Sequence, residues 1–222
     1  MEVRVARFLE GARDSRGRAV IVDVFRAFTT AAFCVAAGAR EVVLLADHEE
    51  ALAMKAKDGT LFLTGEIGGR PIAGFDVGNS PSRIVGLDLA GRRVVQRTSA
   101  GTQGVNAAVG ADEILLGSLV IAGATVRYLA ARPGDVTVVA MGMGANEPDD
   151  ADEASAEFIA ARLRGEDPVA RSIHLQGDHD PAGWPAWFPR RDAELAMEVD
   201  RFDFALPVTR EDGLLIARPV FV

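Results

Sequence analysis

Residues 18–39 read RAVIVDVFRAFTTAAFCVAAGA. An apolar run of buried-strand type passes, after Asp23 and Arg26, into a small-residue segment with helical spacing that stops at Gly38. A strand feeding a helix through a polar junction is the repeating unit of a parallel sheet. The same grammar recurs along the chain. REVVLLAD (40–47) is expected to be a strand, HEEALAMKAK (48–57) a helix capped by Asp47 with Glu50 three residues on, and GTLFLTGE (59–66) a strand. MEVRVARF (1–8) alternates like a strand, and GRRVVQRTSAGTQGVNAAVGA (91–111) repeats the opening design of strand, polar Gly-containing turn and small-residue helix. DEILLGSLV (112–120), IAGATVRYLAAR (121–132) and GDVTVVAMGMG (134–144) continue the alternation. Beyond them the spacing predicts a helix from about 152 to 164, an irregular excursion over about 165–190, a helix in RDAELAMEVDRF (191–202), and two short strands joined by a turn at 211–213. The expected fold is α/β and three-layered, a mostly parallel or mixed sheet flanked by helices, in a single domain over 1–222.

Composition narrows the classes. At 222 residues, 49% apolar and 25% charged, the chain has the make-up of a soluble domain with an ample core. A net charge of -8 without a basic stripe argues against nucleic-acid binding. No run approaches the ~18 apolar residues of a membrane span, and the first residues lack the basic start and apolar core of a signal peptide. A cytoplasmic protein is expected, with a homodimer as its commonest form of assembly. The single Cys34 leaves no partner for an intramolecular disulfide and no multi-thiolate metal site.

In open α/β sheets ligands bind outside the carboxyl ends of the strands. That rule collects Asp23, Arg26, Thr29 and Thr30, then Glu66, then Arg97, Thr98, Ser99 and Thr102, then the acidic group around Asp152 and Glu153. Arginine offers a bidentate fork, hydroxyls and amides bind anionic oxygen, and carboxylates hold a hard divalent cation, a set suited to a Mg²⁺-bound phosphate ester. Each residue also has a plainer role. Asp23 can cap the helix that follows it, Thr29 and Thr30 can pack and bond back to a carbonyl, and Asp149, Asp150, Asp152 and Glu153 can be a solvated helix start. The Gly- and Pro-rich loop IGGRPIAGFDVGNSP (67–81) is long enough to be functional.

Several sharper patterns fall away. Cys34 and Arg40 have the spacing of tyrosine-phosphatase-like enzymes, but Cys34 falls inside the predicted helix and is expected to be buried and inert. DVFRAFT has Phe25 where a haloacid-dehalogenase phosphatase needs a second Asp. GDHDP (177–181) reads as a solvated loop, because His48, His174 and His179 lack the paired spacings of a two-metal site. Neither a Walker sequence nor a dinucleotide glycine pattern is present. Trp184 and Trp187 in GWPAWFPR are candidates to cover a site, form an interface or pack the excursion.

VIVDVFRAFTTAA, TGEIGGRPIAGFDVGNSP, VVQRTSAGTQG and DDADEASAEFI together resemble, in order and spacing, the 2-phosphosulfolactate phosphatase family, over about residues 19–160 with a weaker match in MEVDRFDFALPV. GFDVGNSP is the most diagnostic segment, a Gly-hinged loop with Asn79 and Ser80 before a helix that Pro81 can begin. The resemblance implies a Mg²⁺-dependent phosphatase that hydrolyses 2-phosphosulfolactate to sulfolactate on the way to coenzyme M. By position, Asp23, Arg26 and the Thr29–Thr30 pair match the first segment, Glu66 the Gly-Glu, Asn79 and Ser80 the Asn-Ser-Pro, and Thr98, Gly101 and Thr102 the Thr-rich loop. Where many members have Thr-Thr-Asn-Gly-Thr, this chain has Thr98, Ser99, Ala100, Gly101 and Thr102; the usual Glu-Asp pair is Asp152 and Glu153, and Glu157 replaces a small residue. These departures bear on the choice of ester. On this basis Glu66 with Asp23, or with the Asp152/Glu153 pair, is expected to hold Mg²⁺, while Arg26 and Arg97 with Thr98 to Thr102 stabilise the phosphoryl charge. The rival expectations are another small phosphorylated hydroxy acid as substrate, or a non-catalytic module that binds an anionic metabolite.

Overall fold

The computed structural model describes residues 1–143, 147–168, 185 and 187–222. The chain opens with β1 (Val3–Arg7), α1 (Phe8–Asp14), β2 (Arg18–Val22), α2 (Ala27–Ala36), β3 (Glu41–Leu45) and α3 (His48–Lys57). It continues through β4 (Phe62–Ile67), the two-residue strands β5 (Arg70–Pro71) and β6 (Val77–Gly78), α4 (Pro81–Ile84), β7 (Arg93–Arg97) and α5 (Gly101–Ala107). After β8 (Glu113–Gly117) come a 3₁₀ turn at Leu119–Ile121, α6 (Ala122–Ala130), β9 (Val136–Ala140), α7 (Asp150–Leu163) and α8 (Arg190–Ala196). The hairpin β10 (Phe204–Glu211) and β11 (Leu214–Ala217) and the short β12 (Val220–Phe221) follow.

One mixed sheet carries the whole, in the order β1-β9-β2-β8-β10-β11-β3-β7-β4-β5. β1, β9, β2 and β8 form one parallel block, and β3, β7 and β4 another. The antiparallel hairpin β10–β11 joins them. Three antiparallel pairings intervene, so the blocks point in opposite senses along the ladder. Were the sheet flat, the carboxyl ends of β2 and β7 would lie on opposite edges and five strand spacings, ~24 Å, apart laterally. Yet Gly101, just past β7, donates its N–H to Asp23, just past β2, at 2.8 Å. Coiling of the sheet, the accumulated strand twist of ~20–25° per step, brings the two ends together.

The burial pattern records this coil. β2, β3 and β9 are buried on both faces, which is why they read as unbroken apolar runs. Inside the coil, Ala19 and Ile21 of β2, Val42 and Leu44 of β3 and Val94 of β7 share one core with α2 and α5. Outside it, Val20 and Val22 pack with residues of α6 and α7, while Val43, Leu45, Leu63 and Val95 pack with Ala51 of α3.

The α/β class and the helices on both faces agree with the sequence. Asp47 caps α3 by accepting the Glu49 N–H, and Pro81 opens α4. Helix α1 was not anticipated, because Phe8 reads as the end of a strand; α8 stops at Ala196, short of the expected Phe202. Cys34 is fully buried in α2, and burial pushes its thiol up. Trp184, His174, His179 and GDHDP lie outside the described residues. Among the described residues no helix is long and apolar enough to cross a membrane.

Candidate active site

A cleft of about 390 Å³ opens where the carboxyl ends of β2, β4 and β7 converge. Asp23, Arg26, Glu66, Asn79, Ser99 and Glu147 are its polar lining residues, and Phe25, Ala100, Met143, Trp187 and Phe188 its apolar ones.

Asp23 ties the two halves of the sheet together. One carboxylate oxygen accepts the N–H of Ala27 at the start of α2, and the other accepts the N–H of Gly101 at the start of α5. A Cβ on residue 101 would stand 2.7 Å from that second oxygen, so glycine is what permits the approach. Burial, helped by the charge of Glu66, pushes the Asp23 carboxyl up to about 7 against the pull of those two N–H groups. Asp152 lies behind it and accepts the N–H groups of Val24 and Gly142. Burial first, and then the charges of Asp23 and Asp149, raise the Asp152 carboxyl well above the usual range.

Glu66 binds the turn after β4 to the loop after β7. It accepts the N–H of Gly69 at 2.6 Å, the N–H of Ser99, and the Ser99 hydroxyl at 3.1 Å. Arg97 supports this loop from beneath by donating to the carbonyls of Ala46 and Glu66. Asn79 lines the cleft, is 5% exposed, and has an Oδ1 with no hydrogen-bond partner among the described residues.

Arg26 is 4% exposed. Its Nη1 donates to Asp192 Oδ2 at 2.8 Å and to the Trp187 carbonyl at 3.3 Å, and Nη2 donates to the Gly69 carbonyl at 3.4 Å. The guanidinium carbon stands 3.9 Å from the centre of the Phe188 ring and 5.7 Å from that of Trp187. Burial lowers its pKa, and the bond to Asp192 opposes that shift.

The structure therefore gathers Asp23, Arg26, Glu66, Asn79 and Ser99 at one cleft and gives the other sequence candidates different places. Thr29 donates to the Val24 carbonyl and Thr30 is buried in α2. Thr98 and Thr102 bond to each other beneath the loop, with the Thr102 hydroxyl accepting the Thr98 N–H at 2.8 Å. Ser80 donates to Asp192 and not into the cleft. Glu153 is not brought to the cleft at all: it pairs with Arg7 at 2.7 Å on the outer side of α7. Adjacent residues on a helix point ~100° apart, so only Asp152 of that pair can face the sheet. Sequence reasoning missed Asp192 and the aromatic pair Phe25 and Phe188. The signal for Asp192 was present: with Leu195, Ala196 and Val199 it heads an apolar stripe at helical spacing, where a carboxylate needs a buried partner.

Fold and cleft together define an α/β protein with an oxygen-rich cleft, carrying several carboxylates and one arginine, at converging strand ends. The chain belongs to the 2-phosphosulpholactate phosphatase family, whose sequence pattern matches residues 7–178. It is 41% identical over 126 residues to a probable 2-phosphosulfolactate phosphatase of Deinococcus radiodurans, a stretch covering 56% of this chain and 52% of that protein. Proteins of the same name from Bacillus subtilis and Synechococcus sp. are each 32% identical, over 71% and 85% of this chain and 68% and 78% of theirs. The chain thus spans about half the length of the Deinococcus relative that it matches.

Proposed function

We propose that this chain hydrolyses a small phosphate monoester with Mg²⁺, and that the ester is 2-phosphosulfolactate, the compound in its relatives' name, on the route to coenzyme M. The observation that carries the reading is Arg26. Of the five guanidinium N–H groups, two on Nη1 and one on Nη2 are taken by Asp192, Trp187 and Gly69. Among the described residues the Nε–H and one Nη2–H have no protein partner, and a guanidinium edge left open in this way can receive two oxygens of a phosphoryl group.

The donors facing this fork suit a hard cation. Among the described residues no group of three or more His, Cys, Asp or Glu is placed to hold a metal ion. Mg²⁺, however, is usually held by one or two carboxylates with waters and substrate phosphate. Asp23 and Glu66, with the Oδ1 of Asn79 that has no partner among the described residues, are such a set, and a cation there would offset the burial and the Glu66 charge that raise Asp23. Bound there, Mg²⁺ supplies charge neutralisation and polarisation of the phosphoryl oxygens. Arg26 holds two phosphoryl oxygens and stabilises their charge as the ester bond lengthens. In the overall step a water oxygen joins phosphorus and loses a proton, the phosphorus–ester oxygen bond breaks, and the ester oxygen leaves as a hydroxyl.

Ala100 favours a second reading, the same hydrolysis on another small phosphorylated hydroxy acid. It lines the cleft wall where many family members carry an Asn amide, so one polar contact to substrate is replaced by a methyl group. Phosphate release from 2-phosphosulfolactate, phospholactate and phosphoglycolate, each with Mg²⁺ and with chelator, tests both. Metal-dependent turnover preferring the sulfonate supports the first reading, and preference for another ester supports the second. No release from any ester by folded protein leaves an anionic-metabolite binding module.

A further inference from the structure

Asp192 lies beyond residue 178, where the family match stops, and does not line the cleft, yet it is fully buried against the cleft's one described arginine. It sits in the first turn of α8, its own N–H donating to the Pro189 carbonyl. Both carboxylate oxygens are engaged. Oδ1 accepts the Ser80 hydroxyl at 2.8 Å and the Ser82 N–H at 2.9 Å, both from the start of α4, and Oδ2 accepts Arg26 Nη1. Two further contacts on the guanidinium, the Trp187 carbonyl and the Phe188 ring, come from the residues just before α8.

We infer that Asp192 is the positioning residue for Arg26: it fixes the plane of the guanidinium so that the Nε/Nη2 edge is presented to the phosphoryl group. The inference rests on the reading that Arg26 receives that group. A long arginine side chain has several rotamers to lose, and a fork is useful to a phosphoryl group only when its plane is set beforehand. Asp192 sets it from the opposite edge. Ser80 and Ser82 in turn hold the carboxylate, so it cannot rotate away from Nη1. Fold stability alone does not call for this arrangement, because a buried ion pair is commonly no more stabilising than apolar residues of like volume. The pair is explained by what it does to Arg26, and it gives the serine of GFDVGNSP a role one step behind the cleft.

The test is a double-mutant cycle with Asp192→Asn, Arg26→Ala and the combination, read by inorganic phosphate binding in calorimetry and by kcat and KM on the best ester. Asp192→Asn should lower kcat ~100-fold, the loss typical of a misplaced charge-stabilising donor, with KM moving less than about threefold, and should weaken phosphate binding ~10-fold. In the Arg26→Ala background it should add less than about twofold to either loss. Should Asp192→Asn fold poorly, Ser80→Ala, which keeps the carboxylate and removes one of its anchors, should shift the same parameters by about threefold. The assignment is overturned if Asp192→Asn lowers the melting temperature but keeps wild-type kcat and phosphate affinity, if its loss adds in full to that of Arg26→Ala, or if the wild-type protein with Mg²⁺ binds no phosphate. Should no ester be turned over while the phosphate-binding cycle behaves as expected, the positioning role stands and the phosphatase reading falls.

Discussion

Replacing Asp23 by Asn should reverse the order of stability of variant and wild type between acid and neutral pH when metal is absent. Asp23 is 5% exposed, and burial with the charge of Glu66 moves its carboxyl from 3.8 to about 7. A carboxyl whose pKa is higher in the folded chain than in the unfolded chain holds its proton better when folded. Its contribution is therefore complete below pH 3.8 and is lost as pH rises through about 7. At ~1.36 kcal/mol per unit, the gap from 3.8 to about 7 removes ~4 kcal/mol of unfolding free energy across that window. The Asn side chain has no charge to bury. It must turn one NH₂ toward the N–H of Ala27 or Gly101, a pH-independent cost of ~1–3 kcal/mol. The variant should thus be the less stable protein near pH 4 and the more stable one near pH 8. Asp152, raised partly by the charge of Asp23, acts with the same sign and steepens the difference. Urea unfolding in chelator, followed by tryptophan fluorescence at several pH values, measures it. Saturating Mg²⁺ near pH 8 should stabilise the wild type and leave the variant almost unchanged. A wild-type minus variant difference that stays flat within ~0.5 kcal/mol over the range would refute the account of a buried, charge-strained carboxyl.

Other positions give separate tests. Gly69 has φ +80 and a Cβ there would meet the Trp187 ring at 2.5 Å, so Gly69→Ala should cost ~1–3 kcal/mol and move Trp187, read as a lower melting temperature and shifted emission; an unchanged melting curve speaks against that packing. Glu41, 4% exposed at the amino end of β3, receives Arg93 and Arg218, and Glu41→Gln should lose ~1–3 kcal/mol by denaturation while turnover per folded molecule stays within twofold. Cys34 should resist a thiol reagent in the folded protein and react once urea unfolds it, and Cys34→Ser should keep turnover; rapid labelling of folded protein contradicts its burial. Glu153→Ala should change stability by less than ~1 kcal/mol and leave phosphate release intact, whereas a large loss of turnover would return that residue to the site.

The parts of this site that the sequence announces are those set by local rules. β2 and α2 declare themselves by an apolar run followed by small residues, and their junction places Asp23 and Arg26 together. Glu66 is legible as the polar end of β4, and Asn79 as the last polar residue of a long Gly-hinged loop before a proline. What local rules do not decide is orientation. Asp152 and Glu153 are equivalent in type and adjacent in an alanine-rich helix with no strong apolar stripe to choose between them; only the packing of α7 on the sheet assigns one to Asp23 and the other to solvent. The hydroxyls divide in the same way. All of them bond within the protein, and Ser99, whose hydroxyl donates to Glu66, is the one among Thr29, Ser80, Thr98, Ser99 and Thr102 that lines the cleft.

Least legible is the dependence of the cleft on the last thirty or so residues. Two parallel blocks pointing in opposite senses can bring their carboxyl ends together only across a coiled sheet, and the strands at the middle of that coil are β10 and β11. No residue of that hairpin lines the cleft, yet its place between β8 and β3 determines how the block that carries Asp23 faces the block that carries Glu66 and Ser99. Asp192, just upstream of it, then locks Arg26. Both contributions act far along the chain: β10 pairs with β8 at Leu206 and Leu116, and Asp192 bonds Ser80 and Arg26 across 112 and 166 residues. Strand-turn-helix grammar is blind at that range. A segment that looks like a tail in sequence is therefore structurally the hinge-pin of the site, because it supplies both the central strands and the carboxylate behind the fork.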